Sequence, residues 1–171
     1  LPEGAGSVPA APGRYTDPVK KPVFLVANGA LHDDASARLR AETAREAHHL
    51  VAVDGGARHL LRLGIDPHYV TGDFDSLTPA ERDLLARRGA QIVPTPDQDF
   101  TDLDKALSFA RERLEPSRLR VFGATGGRLD HLYSVLSTLV RHGRHSDVRL
   151  VDEVGGRRCW RATTFRGERC R

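Results

Sequence analysis

Thr71-Gly72-Asp73-Phe74-Asp75-Ser76 places two carboxylates on either side of one aromatic residue, just after the apolar pair Tyr69-Val70. On extended backbone, side chains two apart leave on the same face. Asp73 and Asp75 are therefore expected to point together, with Phe74 turned the other way into packing. Two like charges side by side are unfavourable without a cation between them. A pair of hard oxygen ligands suits Mg²⁺. Further acid and glycine loops recur along the chain: Asn28-Gly29, Asp54-Gly55-Gly56, Asp97-Gln98-Asp99-Phe100-Thr101-Asp102 and Gly123-Ala124-Thr125-Gly126-Gly127-Arg128-Leu129-Asp130-His131. Acids do not face a polyphosphate directly, because anions about 4 Å apart repel by about 1 kcal/mol even in water. Acids and glycine loops on one rim thus imply Mg²⁺ between protein and phosphates. Arg128, at a helix start, adds a bidentate phosphate contact. Such a site performs phosphoryl-type transfer by positioning and charge neutralisation.

The elements that position these loops alternate. Val23–Ala27, Leu50–Val53 and Tyr69–Val70 are short apolar runs of the kind found in buried parallel strands, and Gln91–Val93, Arg118–Phe122 and Val148–Val151 read as further strands. Helices are expected from Asp34 to His49, Ala57 to Leu63, Thr78 to Gly89, after the Thr101 cap, and through Leu129, Leu132, Tyr133, Leu136, Leu139 and Val140. Thr78-Pro79-Ala80-Glu81 carries an N-cap, a first-turn proline and a capping-box acid. The architecture is α/β: a doubly wound, mostly parallel sheet with helices on both faces, a three-layer Rossmann-like arrangement. Ligands bind such sheets at the carboxyl ends of the strands, where every acid and glycine loop falls.

Residues 1–22, with prolines at 2, 9, 12, 18 and 22, read as a flexible leader preceding an α/β domain over 23–152. With no methionine and Leu1 first, the natural start is expected to be missing or trimmed. The net charge is +3, but residues 155–171 alone hold six arginines and one glutamate, a balance of +5. The rest is therefore 3 − 5 = −2, so the basic character belongs to residues 153–171, a basic tail or the truncated start of a further domain. No strand is expected there. The domain itself is not expected to bind nucleic acid. No apolar run approaches the ~18 residues of a membrane span. Both cysteines, Cys159 and Cys170, lie in that last stretch, and a cysteine-free body fits a reducing, cytoplasmic compartment.

Taken together and in this order, Asp54-Gly55-Gly56-Ala57, Gly72-Asp73-Phe74-Asp75-Ser76, Asp97-Gln98-Asp99-Phe100-Thr101-Asp102 and Gly126-Gly127-Arg128-Leu129-Asp130-His131 resemble the thiamine pyrophosphokinase family over about residues 23–152. The resemblance implies transfer of diphosphate from Mg-ATP to the hydroxyl of thiamine, giving thiamine diphosphate and AMP, by a cytoplasmic homodimer. By motif position it implies Asp73, Asp75 and Asp102 as Mg²⁺ ligands, and Gln98 beside thiamine or the transferred phosphates. Asp54, Arg128 and Asp130 would complete the nucleotide and phosphate site, with Asn28, Gly55, Gly56, Gly72, Thr101, Gly126, Gly127 and His131 lining it. Family members continue into a C-terminal β-sandwich that this chain does not match. Pyrophosphoryl transfer to another small alcohol such as a pterin, or nucleotide binding without turnover, are the alternatives.

Overall fold

The computed structural model describes residues 21–45, 49–97, 99–127, 129–152, 158–161 and 167–169. The first half of the chain builds a parallel sheet outward: β1 (Val23–Val26), α1 (Asp33–Arg45), β2 (His49–Val53), α2 (Gly56–Leu63), β3 (Tyr69–Gly72), α3 (Pro79–Arg87) and β4 (Gln91–Pro94). The chain then crosses back through α4 (Asp102–Leu114) to β5 (Leu119–Phe122) on the other side of β1. It continues through α5 (Leu129–Gly143) to β6 (Val148–Asp152). The order is β4-β3-β2-β1-β5-β6, parallel throughout, and two short strands extend it. The reversal of winding lies between β1 and β5, and a crevice opens at such a switch point. The expected doubly wound α/β architecture is what forms.

Every residue of β1 and β5 is buried, because both faces of the sheet are covered. Leu39, Leu60 and Leu85 bring α1, α2 and α3 onto one face, against Phe24, Val26, Leu50, Ala52 and Phe122. Leu103, Ala106, Leu107 and Ala110 of α4 and Val135 and Leu139 of α5 cover the other, against Leu25, Val51, Val53 and Val121. The central strand β1 therefore reads as an unbroken apolar run rather than an alternating one, while β5 is interrupted by the buried Arg120.

The helix starts follow local chemistry. Thr78 caps α3 by accepting from the amide of Glu81 at 3.2 Å, while the Glu81 carboxylate accepts from the amide of Thr78 at 2.8 Å. Pro79 supplies the first turn. Thr101 caps α4, its hydroxyl accepting from the amide of Asp104 at 3.3 Å.

Three expectations are corrected. The first helix is described over Asp33–Arg45, and His49, expected at its end, instead opens β2, with its ring against His68 and Tyr69. In α5, Val135, Thr138, Leu139 and His142 form the buried face, whereas Leu129 and Tyr133 are exposed. The apolar residues there are numerous enough to define two faces, and packing against α4 selects the other one.

The third correction concerns the basic stretch, which carries two strands where none was expected. β7 (Arg158–Arg161) pairs antiparallel with β6, and β8 (Gly167–Arg169) pairs antiparallel with β7. Runs of three and four residues are too short to display period-two alternation. They form by pairing with the edge that β6 would otherwise leave open. The expected leader falls almost wholly outside the described residues. Among those described, no helix is long and apolar enough to cross a membrane.

Candidate active site

The rim at the carboxyl ends of the strands is assembled by register. Val53 pairs with Thr71, so the residues that follow β2 and β3 leave the sheet side by side. The amide of Asp54 donates to the carbonyl of Thr71 at 2.7 Å, tying the two loops together. Both then turn sharply. Asp54 has φ 46° and Phe74 has φ 65°, left-handed values that side-chain-bearing residues adopt at a cost of about 1–3 kcal/mol. Such positions cluster where the surroundings hold a functional geometry in place.

Phe74 is buried among Leu77, Leu85 and Ile92, as its flanking position led one to expect. The route by which Asp73 and Asp75 meet is different from the expected one. The strand ends at Gly72, and a turn, not extended backbone, brings the two carboxylates together. The amide of Asp75 donates to Oδ1 of Asp73 at 3.2 Å, and the hydroxyl of Ser76 donates to Oδ1 of Asp75 at 3.1 Å.

Asp54 completes the group. Ligand oxygens of Asp54, Asp73 and Asp75 lie within 4.8 Å of one another. Asp54 is buried, and its Oδ1 has no hydrogen-bond partner among the described residues. An unsatisfied buried acceptor costs about 1–3 kcal/mol, and a buried carboxylate more. Three converging hard oxygens, one of them buried and unsatisfied, fit a small divalent cation of the Mg²⁺ type. Asp54 was expected on the acidic rim with Asp73, Asp75 and Asp102, and by the resemblance among the nucleotide and phosphate contacts. The fold places it among the carboxylates.

Asp54 and Asp73 line a pocket of about 410 Å³ at the switch point. Asn28 and Gly29 form its β1 wall, Ala124 its β5 wall, and His131 and Ser134 its α5 wall. Thr101 and Asp102 enter from the start of α4. Asp102 is not part of the three-carboxylate group; its Oδ1 lies 2.7 Å from the ammonium of Lys105. That ammonium also donates to the carbonyls of Thr95 and Asp97, both at 2.8 Å. Lys105 thus pins the loop before α4 to the helix. The sequence reading passed over it, although a cation three residues after Asp102 on a helix is a readable signal.

Gly55 and Gly56 are buried beneath the pocket. A Cβ at Gly56 would fall 2.0 Å from the carbonyl oxygen of Val26, so α2 begins in direct contact with β1. Gly72 closes β3 beside Asp54, whereas Gly126 and Gly127 are exposed in the turn before α5. Asp130 is exposed in the first turn of α5. Gln98 and Arg128 lie outside the described residues.

One ion pair and one histidine contact brace this rim. Arg58 of α2 grips Glu81 of α3 with both guanidinium arms, at 2.8 and 3.0 Å. The hydrogen bonds from Arg58 and from the amide of Thr78 hold the Glu81 carboxyl down at about 2. The ring Nε2 of His59 lies 2.8 Å from the carbonyl of Gly29, and Arg62 donates to its Nδ1, which leaves Nε2 as the donor. Burial lowers the pKa of His59, in keeping with that neutral tautomer.

Comparison with known proteins matches the same region. Residues 41–151 match the family described as thiamin pyrophosphokinase, catalytic domain. A thiamine pyrophosphokinase of Bacillus subtilis is 37% identical over 105 residues, which are 60% of this chain and 49% of that protein. Thiamin pyrophosphokinase 1 of Caenorhabditis elegans is 35% identical, over 56% of this chain and 41% of its own. The crystal structure of the Bacillus subtilis thiamine pyrophosphokinase superposes with a TM-score of 0.65 at 34% identity, covering 78% of this chain and 61% of that one. The chain spans about half the length of the curated relatives it matches. With its four ordered motifs on one rim and the family's model matched over residues 41–151, this chain belongs to the thiamin pyrophosphokinase family, by its catalytic domain.

Proposed function

We propose that this domain binds Mg²⁺ and ATP in the switch-point pocket and transfers diphosphate to the hydroxyl of thiamine, releasing AMP. The observation that carries the reading is the convergence of Asp54, Asp73 and Asp75 beside the pocket that Asp54 and Asp73 line, with one buried Asp54 oxygen unsatisfied among the described residues. The acceptor comes from the family to which the chain belongs.

Asp54, Asp73 and Asp75 would hold the ion, with Asp102 reaching it from the opposite wall. Bound Mg²⁺ supplies neutralisation of the charge on the phosphate oxygens. The chain itself supplies position. The two left-handed turns fix the carboxylates before any ligand arrives, so little reorganisation is left for the reaction. Arg128 and Asp130 would serve the phosphates, Gln98 the acceptor side, and Asn28, Gly55, Gly56, Gly72, Thr101, Gly126, Gly127 and His131 the pocket lining. In the transfer, the alcohol oxygen bonds to the β-phosphorus while the bond from that phosphorus to the α–β bridging oxygen breaks. The reading includes a cytoplasmic homodimer, as the family resemblance implies.

The test is AMP formation from ATP with Mg²⁺, with and without thiamine, resolved by chromatography. Thiamine-dependent AMP and thiamine diphosphate are expected. Asp73→Asn should lower the rate more than about 100-fold, beyond the 10–100-fold typical of groups that only orient a metal ligand. AMP release with a pterin alone would reject thiamine. Mg²⁺-dependent ATP binding without any AMP would mark a nucleotide-binding protein.

A further inference from the structure

Phe100 sits between Asp99 and Thr101 in the loop that leads into α4, and it is 47% exposed. It borders the switch-point pocket and also a groove along α4 and α5 that includes Asp104, Arg141 and His142. Phe100 and Lys105 are the residues the two cavities have in common. On the groove side the guanidinium of Arg141 lies 5.1 Å from the ring centroid. Arg141 is itself fixed, with Nη1 3.1 Å from Oδ2 of the buried Asp104. The other oxygen of Asp104 lies 3.0 Å from Nε2 of His142. The amide of Asp104 in turn bonds the capping hydroxyl of Thr101. An exposed aromatic ring is thereby held in place by a buried carboxylate, at the edge of a pocket that Asp54, Asp73 and Asp102 also line.

We infer that Phe100 is a stacking platform for the uncharged planar base of the nucleotide. This rests on the proposed reading that the carboxylates, through a cation, hold its phosphates. The choice of ligand follows from Arg141. An aromatic face attracts cations, and here a guanidinium already occupies that interaction. A second cation, such as the positively charged ring of thiamine, would meet Arg141 across the ring. A neutral heteroaromatic base gains stacking without that repulsion, and its phosphates reach toward the carboxylates beyond.

The test compares Mg-ATP with Mg-tripolyphosphate, which keeps the phosphates and lacks the base, by isothermal titration calorimetry on the full chain. Phe100→Leu should weaken ATP about tenfold, within the range for loss of one base–aromatic stack, and leave tripolyphosphate within about twofold. Phe100→Trp should retain ATP affinity. Arg141→Gln should weaken ATP less than Phe100→Leu does, because the ring remains while its support is lost. Unchanged ATP binding in Phe100→Leu, equal weakening of both ligands, or weakening of thiamine alone would each overturn the inference. Wild-type chain that binds neither ATP nor tripolyphosphate would instead defeat the phosphate reading beneath it.

Discussion

The ammonium of Lys105 forms an ion pair with Asp102, one turn back on α4, 2.7 Å from its Oδ1, and donates hydrogen bonds to the carbonyls of Thr95 and Asp97. One side chain thus fixes a carboxylate and the loop before it.

Lys105→Met removes the charge and keeps the stem. Breaking a buried pair costs about 3–5 kcal/mol. Asp102 is 31% exposed, so water recovers part of this and a loss of about 2 kcal/mol is expected. Urea unfolding measures it. Amide exchange at Asp97 and Asp99 should rise by more than the global loss of stability accounts for. Uniform exchange changes across the sheet would contradict the anchoring role.

Local signals carried over from sequence to structure, and non-local ones did not. Thr78, Pro79 and Glu81 act within one turn of backbone, so their spacing alone identifies the start of α3. Asp73 and Asp75 were legible for the same reason. The addition of Asp54 to them depends on the pairing of Val53 with Thr71, a register that no local window contains. Leu129 and Tyr133 show the converse limit. Their spacing fits a helix face, but which of two apolar faces is buried depends on where α4 lies. The strands β7 and β8 depend on a free edge at β6 rather than on their own residues.

The site glycines separate by the same distinction. A Cβ at Gly56 would lie 2.0 Å from the carbonyl oxygen of Val26, a backbone atom of the central strand β1 that is held by pairing on both sides. It cannot yield without distorting the sheet, so Gly56→Ala should destabilise by about 3 kcal/mol, at the upper end for overpacking. At Gly127 no atom of the described residues lies within 4 Å of an added Cβ. Gly127→Ala should stay within about 0.5 kcal/mol of the wild type, as surface substitutions do. Thermal or urea unfolding of the two variants gives the comparison. Similar losses in both would mean that Gly56 does not mark a close backbone approach.

His142 makes the stability of the α4–α5 junction depend on pH. The ring is buried, with Nε2 3.0 Å from Oδ1 of Asp104. Burial lowers its pKa below the usual 6.5, opposed by the bond to Asp104 and assisted by the positive charges of Arg111 and Arg141. The folded state therefore takes up its proton at lower pH than the unfolded chain does. Between that depressed value and 6.5 the unfolded chain binds more protons, so stability falls as pH falls through this window. Above 6.5 the contribution is fully present. His59 and His68 are lowered in the same direction, again chiefly by burial, so they share the slope. His142→Gln keeps a donor for Asp104 and removes the titration. Urea unfolding at pH 7.5 and 5.5 should show a smaller loss on acidification in this variant than in the wild type. Equal losses would assign the slope to His59 and His68 and leave the Asp104 contact insensitive to pH over that range.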